Sequence, residues 1–208
     1  MLNADVLTFQ EFAMHEALPL SKIQEAVLEF LQGREDVVLF GAQAVNAYVS
    51  EPRMTQDVDL LSVRAKDLAE ELRTHLSEKF HIAVRVREIG EGKGFRIYQV
   101  RSEGNRHLVD LRKVDELPET EKIENVLVLS PAELIASKVI SFYSRKGKPK
   151  AGTDWRDLAV LLLKFPELKE KVSEILKAKN VGEDVLYTWY DLENQDIRFE
   201  DEDEDLIF

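Results

Sequence analysis

Asp57 and Asp59 lie two residues apart in Arg53-Met54-Thr55-Gln56-Asp57-Val58-Asp59-Leu60, a segment that predicts a strand reaching about Ser62. Residues i and i+2 of a strand point to one side, roughly 6–7 Å apart along it, so both carboxylates can converge on one divalent cation. A third acid, Asp110, sits among apolar neighbours in His107-Leu108-Val109-Asp110-Leu111, which predicts a later strand. A carboxylate in such company requires a partner. Together the three acids make a hard, oxygen-rich donor set suited to Mg²⁺ or Mn²⁺. Two such ions about 3.5–4 Å apart activate an attacking oxygen and neutralise a leaving pyrophosphate in an in-line displacement. Asp110 could also act as the base that deprotonates an acceptor hydroxyl. The plainer alternative is that Asp57 and Asp59 end a strand, and that Asp110 pairs with Arg96 or Arg112 across a sheet.

These acids depend on their surroundings for position. Val37 to Phe40 is a short apolar run that stops at Gly41, and the helix-prone Ala42 to Tyr48 follows, predicting strand, turn and helix. Gly41 and Ala42 then sit at a helix start, where backbone N–H groups and the positive helix end favour a triphosphate. Plain turn chemistry is the alternative for that glycine. Upstream, Ser21-Lys22-Ile23-Gln24 has the form of a capping box ahead of an amphipathic helix that ends at Gly33. Leu68, Leu72 and Leu76 mark a helix over 65–80. Ile82, Val84 and Val86 alternate with charged residues, the Gly90 to Gly94 stretch turns, and Phe95 to Val100 returns, which is a hairpin. Val126 to Leu129 predicts a last short strand. Ser130-Pro131-Ala132-Glu133 then supplies N-cap, N1 proline and N3 glutamate for a helix over 131–145, followed by helices over 153–164, 167–179 and 182–192. The expected fold class is therefore α+β. A mixed-sheet core flanked by helices occupies 1–129, a helical region 130–192, and an acidic tail 193–208.

Composition narrows the function. The 208 residues include no cysteine, which excludes disulfides, thiolate metal sites and thiol nucleophiles. No apolar run approaches the roughly 20 residues that a membrane span needs, and no secretory signal is recognisable at the start, so a cytoplasmic location is expected. The net charge of −12 argues against broad affinity for nucleic acid. Much of that charge sits in residues 191–208, where nine acids face Arg198 alone, and a solvated tail is the favoured reading. The one clear basic cluster is Ser144 to Gly152, with Arg145, Lys146, Lys148 and Lys150. It reads either as a loop that closes over a triphosphate or an RNA acceptor, or as an exposed charged loop. The four histidines, His15, His75, His81 and His107, lack metal-ligand spacing, and no Ser–His pairing points to a hydrolase.

Gly41-Ala42, the helix with Ala44 and Asn46, Arg53-x-Thr55-x-Asp57-Val58-Asp59-Leu60 and Val109-Asp110-Leu111 together resemble the DNA polymerase beta-type nucleotidyltransferase superfamily. Within it the chain is most similar to small nucleotidyltransferases that include toxin components of abortive-infection toxin–antitoxin pairs. The resemblance implies a nucleotidyltransferase sheet, two divalent ions (Mg or Mn), a nucleoside triphosphate donor, and transfer of a nucleoside monophosphate to an acceptor. Asp57 and Asp59 would bind the ions and Asp110 would complete the site or act as base. Gly41 and Ala42, with Arg53 and Thr55, would face the donor. Ala42 departs from the usual Gly-Gly or Gly-Ser. The group also tends to show a lysine on one helix and Asp-x-x-Asp-Leu opening the next, matched here by Lys138 and Asp154-Trp155-Arg156-Asp157-Leu158. Lys138 and Arg145, seven residues apart on nearly one helix face, could both reach phosphates, with Asp157 orienting one of them, or all three could form a salt-bridge cluster between packed helices. The expected acceptor is open among tRNA, protein and a small molecule, and an antitoxin protein is an expected partner. The alternative is a non-catalytic nucleotide- or protein-binding member of the same fold.

Overall fold

Alternating apolar and polar residues build the sheet, and its apolar side carries the core. The structure, a computed structural model, describes residues 18–198. The elements in order are α1 (Leu20–Leu31), β1 (Val37–Phe40), α2 (Gly41–Tyr48), β2 (Val58–Ser62), α3 (Ala65–Phe80), β3 (Val84–Ile89), β4 (Gly94–Gln99), β5 (Arg106–Lys113), β6 (Thr120–Ile123), β7 (Val126–Leu129), α4 (Pro131–Ser144), α5 (Lys150–Lys164), a 3₁₀ turn (Pro166–Leu168), α6 (Lys169–Ala178) and α7 (Glu183–Glu193). The chain divides into two compact units, the first ending at Ser130 and the second starting at Pro131. The fold class is α+β, as expected, with a mixed seven-stranded sheet in the first unit.

The sheet order is β3-β4-β5-β2-β1-β7-β6, with β2 parallel to β5, β1 parallel to β7 and the other neighbours antiparallel. On the central strands Val58, Leu60, Val109 and Leu111 are fully buried, and α1 and α3 pack against the sheet. Asp59 and Asp110 fall between those residues and are only half-buried. This alternation is what a sheet covered on one face requires. The regular elements of the second unit's described residues are all helices, with Leu134, Ile135, Val139, Leu158, Leu161, Val172, Leu176 and Trp189 in its interior.

Several expectations need correction. Helix α1 begins at Leu20 behind Pro19, so Ser21 lies inside the helix and is buried, and no side-chain cap bond forms. Proline's fixed φ starts the helix one residue before the apparent capping box. Ser130 makes no capping bond either, since its Oγ is buried without a hydrogen-bond partner, and Pro131 at the first helical position opens α4. Strand β6, with two exposed residues and one neighbour, was not expected. Helix α5 starts at Lys150, so part of the expected basic loop is helical. The acidic run from Glu200 lies outside the described residues.

Candidate active site

Strands β2 and β5 bring the acids together. Their parallel register sets Asp59 beside Asp110, so the two carboxylates share a sheet face on neighbouring strands. Asp57 is placed differently from the expectation: it sits in a bend just before β2, whose first residue is Val58. Strand periodicity therefore does not aim it, and other groups must.

Gly41 makes the room that Asp59 occupies. It opens α2 with a φ of +70°, and a Cβ built there would fall 2.0 Å from Asp59 Oδ2 and 2.7 Å from Cγ. Only glycine satisfies both the left-handed backbone and the close approach. The fit between Gly41 and Asp59 is steric: the carboxylate lies against the head of the helix, at its electropositive end. Ala42 follows, half-buried, with Gln43, Ala44 and Asn46 turned inward.

A chain of buried amides holds the segment leading to Asp57. Asn46 Nδ2 donates to the Arg53 carbonyl at 2.7 Å, and the Arg53 N–H donates back to Asn46 Oδ1 at 3.0 Å. Asn46 also donates to Gln43 Oε1 at 3.4 Å, and Gln43 to Gln24 Oε1 at 3.4 Å. Gln24 Nε2 donates to the Thr55 carbonyl at 3.0 Å and to Thr55 Oγ1 at 3.4 Å. Thr55 thus fixes its own loop through Gln24, and Arg53 donates to the Met54 carbonyl at 3.2 Å. Gln24 and Gln43 were missed in sequence. A buried amide demands a polar partner, but the burial of these two is not visible in the sequence of either helix.

Two basic side chains, Arg96 and His107, lie beside the acids. Arg96 Nε is 3.6 Å from Asp110 Oδ1, across the antiparallel register of β4 and β5. His107 Nδ1 is 3.2 Å from Asp57 Oδ2, its Nε2 is 3.2 Å from the Val109 carbonyl, and its ring lies 5.1 Å from that of Tyr98. The hydrogen bond to Asp57 holds the His107 imidazole above its usual pKa against partial burial; the charges of Asp57 and Asp110 add to the rise and that of Arg96 opposes it. His107 carried no recognisable signal in the sequence.

The donor chemistry fits a divalent ion: Asp59 and Asp110 share one sheet face, Asp57 lies in the bend just before it, and Gly41 leaves the space Asp59 needs. Among the described residues no three His, Asp or Glu side chains are already arranged to enclose a metal. Sharing an ion therefore requires the carboxylates to turn, Asp110 away from Arg96.

The remaining expected site residues belong to the helical unit. Lys138 Nζ donates to Asp157 Oδ2 at 2.6 Å and lies 3.8 Å from Asp154 Oδ1, and Arg145 Nη1 donates to Asp154 Oδ2 at 2.6 Å. Lys138, Asp154 and Asp157 are buried, whereas the Arg145 side chain keeps 31% of its surface exposed. Arg145 follows the last residue of α4 and reaches Asp154 from the turn. The four side chains join α4 to α5.

Several solved structures share the fold. A polyadenylate synthase from Megavirus matches with a TM-score of 0.57 at 14% identity, over 71% of this chain and 32% of that one. JHP933 from Helicobacter pylori matches with a TM-score of 0.52 at 13% identity, over 90% of each chain. A putative nucleotidyltransferase from H. pylori gives 0.52 at 14% identity, over 90% of this chain and 93% of that one. No curated protein matches. The family described as nucleotidyl transferase AbiEii toxin, type IV toxin–antitoxin system, matches residues 25–206, and the chain belongs to it. This agrees with the polymerase beta-type superfamily that the motifs resemble. No helix among the described residues is long and apolar enough to cross a membrane.

Proposed function

We propose that this protein transfers a nucleoside monophosphate from a nucleoside triphosphate to an acceptor, on the face that carries Asp57, Asp59 and Asp110. The observation that carries the reading is the pairing of Asp59 with Asp110 on adjacent strands, with Asp59 seated against Gly41 at the head of α2. Asp57, Asp59 and Asp110 would hold Mg²⁺ or Mn²⁺, and ions held there supply positive charge to the triphosphate. The N–H groups of Gly41 and Ala42 face the phosphates. In the transfer an acceptor oxygen bonds to the α-phosphorus, the bond to the β-phosphate oxygen breaks, and pyrophosphate leaves. Asp110 is the nearest group on this face to a base for the acceptor proton, provided it is released from Arg96.

In the helical unit, Lys138 is neutralised within a buried cluster. Arg145 is paired with the buried Asp154, and the exposed Lys146, Lys148 and Lys150 beside it offer positive charge to a phosphate. Family membership points to an antitoxin protein as partner, and the acceptor class is left to experiment.

The test is incubation with each labelled nucleoside triphosphate, Mg²⁺ and total RNA or protein. Label is expected on a macromolecule with the wild type and on none with Asp59→Asn or Asp110→Asn. A second reading, a non-catalytic nucleotide- or protein-binding member of the fold, draws on Ala42 and on the Arg96 contact with Asp110. Nucleotide binding without transfer of label to RNA, protein or small molecules would favour it.

A further inference from the structure

Residues 107 and 110 differ by an odd number, so in a regular strand their side chains would point to opposite faces. Strand β5 is not regular. Its register with β4 pairs Arg96 with Asp110 and Ile97 with Val109, then Tyr98 with His107, leaving Leu108 as the extra residue of a bulge. Leu108 and Val109 are consecutive and both buried, the signature of alternation broken at that point. A bulge re-aims the side chains beyond it. Here it brings His107 to the face of Asp110 and Arg96, opposite Tyr98, with its ring 5.1 Å from the tyrosine's.

The residue that His107 meets there is the one carboxylate of the three that no strand holds. Asp59 is fixed within β2 and against Gly41, and Asp110 is fixed within β5, whereas Asp57 lies in the preceding bend. His107 Nδ1 takes Asp57 Oδ2 at 3.2 Å, while its Nε2, 3.2 Å from the Val109 carbonyl, ties the ring to its own strand. Through Oδ2, the Asp57 carboxylate is engaged by the imidazole beside the face that carries Asp110.

We propose that His107, re-aimed by the bulge at Leu108, is a positioning residue that fixes the Asp57 carboxylate for cation binding. The inference rests on the metal-binding reading of Asp57, Asp59 and Asp110 given above. A ligating side chain with such a partner typically loses about 10–100-fold in metal affinity when the partner is removed.

The experiment is binding of Mn²⁺ to the full chain without nucleotide, read from the free-ion electron paramagnetic resonance signal. Wild type, His107→Phe, His107→Asn and Asp59→Asn are compared, with a thermal melt of each. His107→Phe keeps the ring and its packing on Tyr98 but removes the donor; His107→Asn keeps a donor and removes the ring. Weakening of about tenfold or more in His107→Phe, with His107→Asn closer to wild type, supports the proposal. The reverse order marks a packing role and overturns it, as does wild-type affinity in His107→Phe while Asp59→Asn has lost the ion. If Asp59→Asn itself binds Mn²⁺ as the wild type does, the metal-centre reading falls, and this inference with it.

Discussion

At the sheet site, Asp57, Asp59 and Asp110 lie beside His107 and Arg96, and the Arg96–Asp110 and His107–Asp57 pairs keep part of their side chains in solvent. In the helical unit, Asp154 and Asp157 face Lys138 and Arg145, and three of those four are buried. Both clusters set carboxylates against basic side chains, and the outcome differs. Buried charges have to be matched within the fold, because an uncompensated one costs several kcal/mol. Lys138 and Asp157, at 2.6 Å, meet that demand and hold two helices together. The paired groups of the sheet face are part-exposed and wet enough to exchange partners, which is what binding a cation requires.

Breaking the helical cluster gives the largest expected loss of stability. Asp157→Ala leaves Lys138 buried beside a single, longer contact to Asp154, and removing one partner of such a pair costs about 3–5 kcal/mol. Urea denaturation checks this, and the double variant Lys138→Met with Asp157→Leu is expected to recover much of the loss. The sheet face should respond differently, through affinity more than stability. Its supporting amides come next: Asn46→Leu strands the Arg53 carbonyl and N–H, at about 1–3 kcal/mol, and is expected to weaken Mn²⁺ binding as the loop before Asp57 loosens.

Gly41→Ala is expected to cost roughly 1–2 kcal/mol for its left-handed backbone. Its Cβ would also displace the Asp59 carboxylate, so cation affinity should fall along with the melting temperature. A fully folded variant with wild-type affinity would remove Gly41 from the account. The smallest effect is that of pH on His107. Its pKa is raised in the folded protein, so its link to Asp57 stabilises fully below the unfolded value of 6.5 and is lost as pH rises through the folded one. A nuclear magnetic resonance titration of the imidazole should show that elevated value, and Asp57→Asn should bring it down toward 6.5.

Much of this was legible in the sequence where pattern and position agree. The apolar run Val37 to Phe40 stopping at a glycine foretold strand, turn and helix, and the alternation after Ile82 foretold the hairpin. Asp59 and Asp110 could be assigned to strands, but their side-by-side register could not, because pairing between β2 and β5 is not written in either segment alone. β6 escaped because a polar edge strand has little apolar content to mark it. Asp57 was read as part of a strand because a bend leaves no trace in alternation. His107 was hidden for a stronger reason: period-two reasoning puts it on the wrong face, and only the bulge at Leu108 reverses that. Gln24 and Gln43 look like ordinary helix residues until the loop they hold is placed against them.

The central claim is that the Asp59 face binds a metal–triphosphate complex. Calorimetric titration of each nucleoside triphosphate with Mg²⁺ into wild type and Asp59→Asn tests it most directly. Binding by the wild type, and loss of that binding in an Asp59→Asn protein with an unchanged melting temperature, is the predicted result; equal affinity in the two proteins would contradict it.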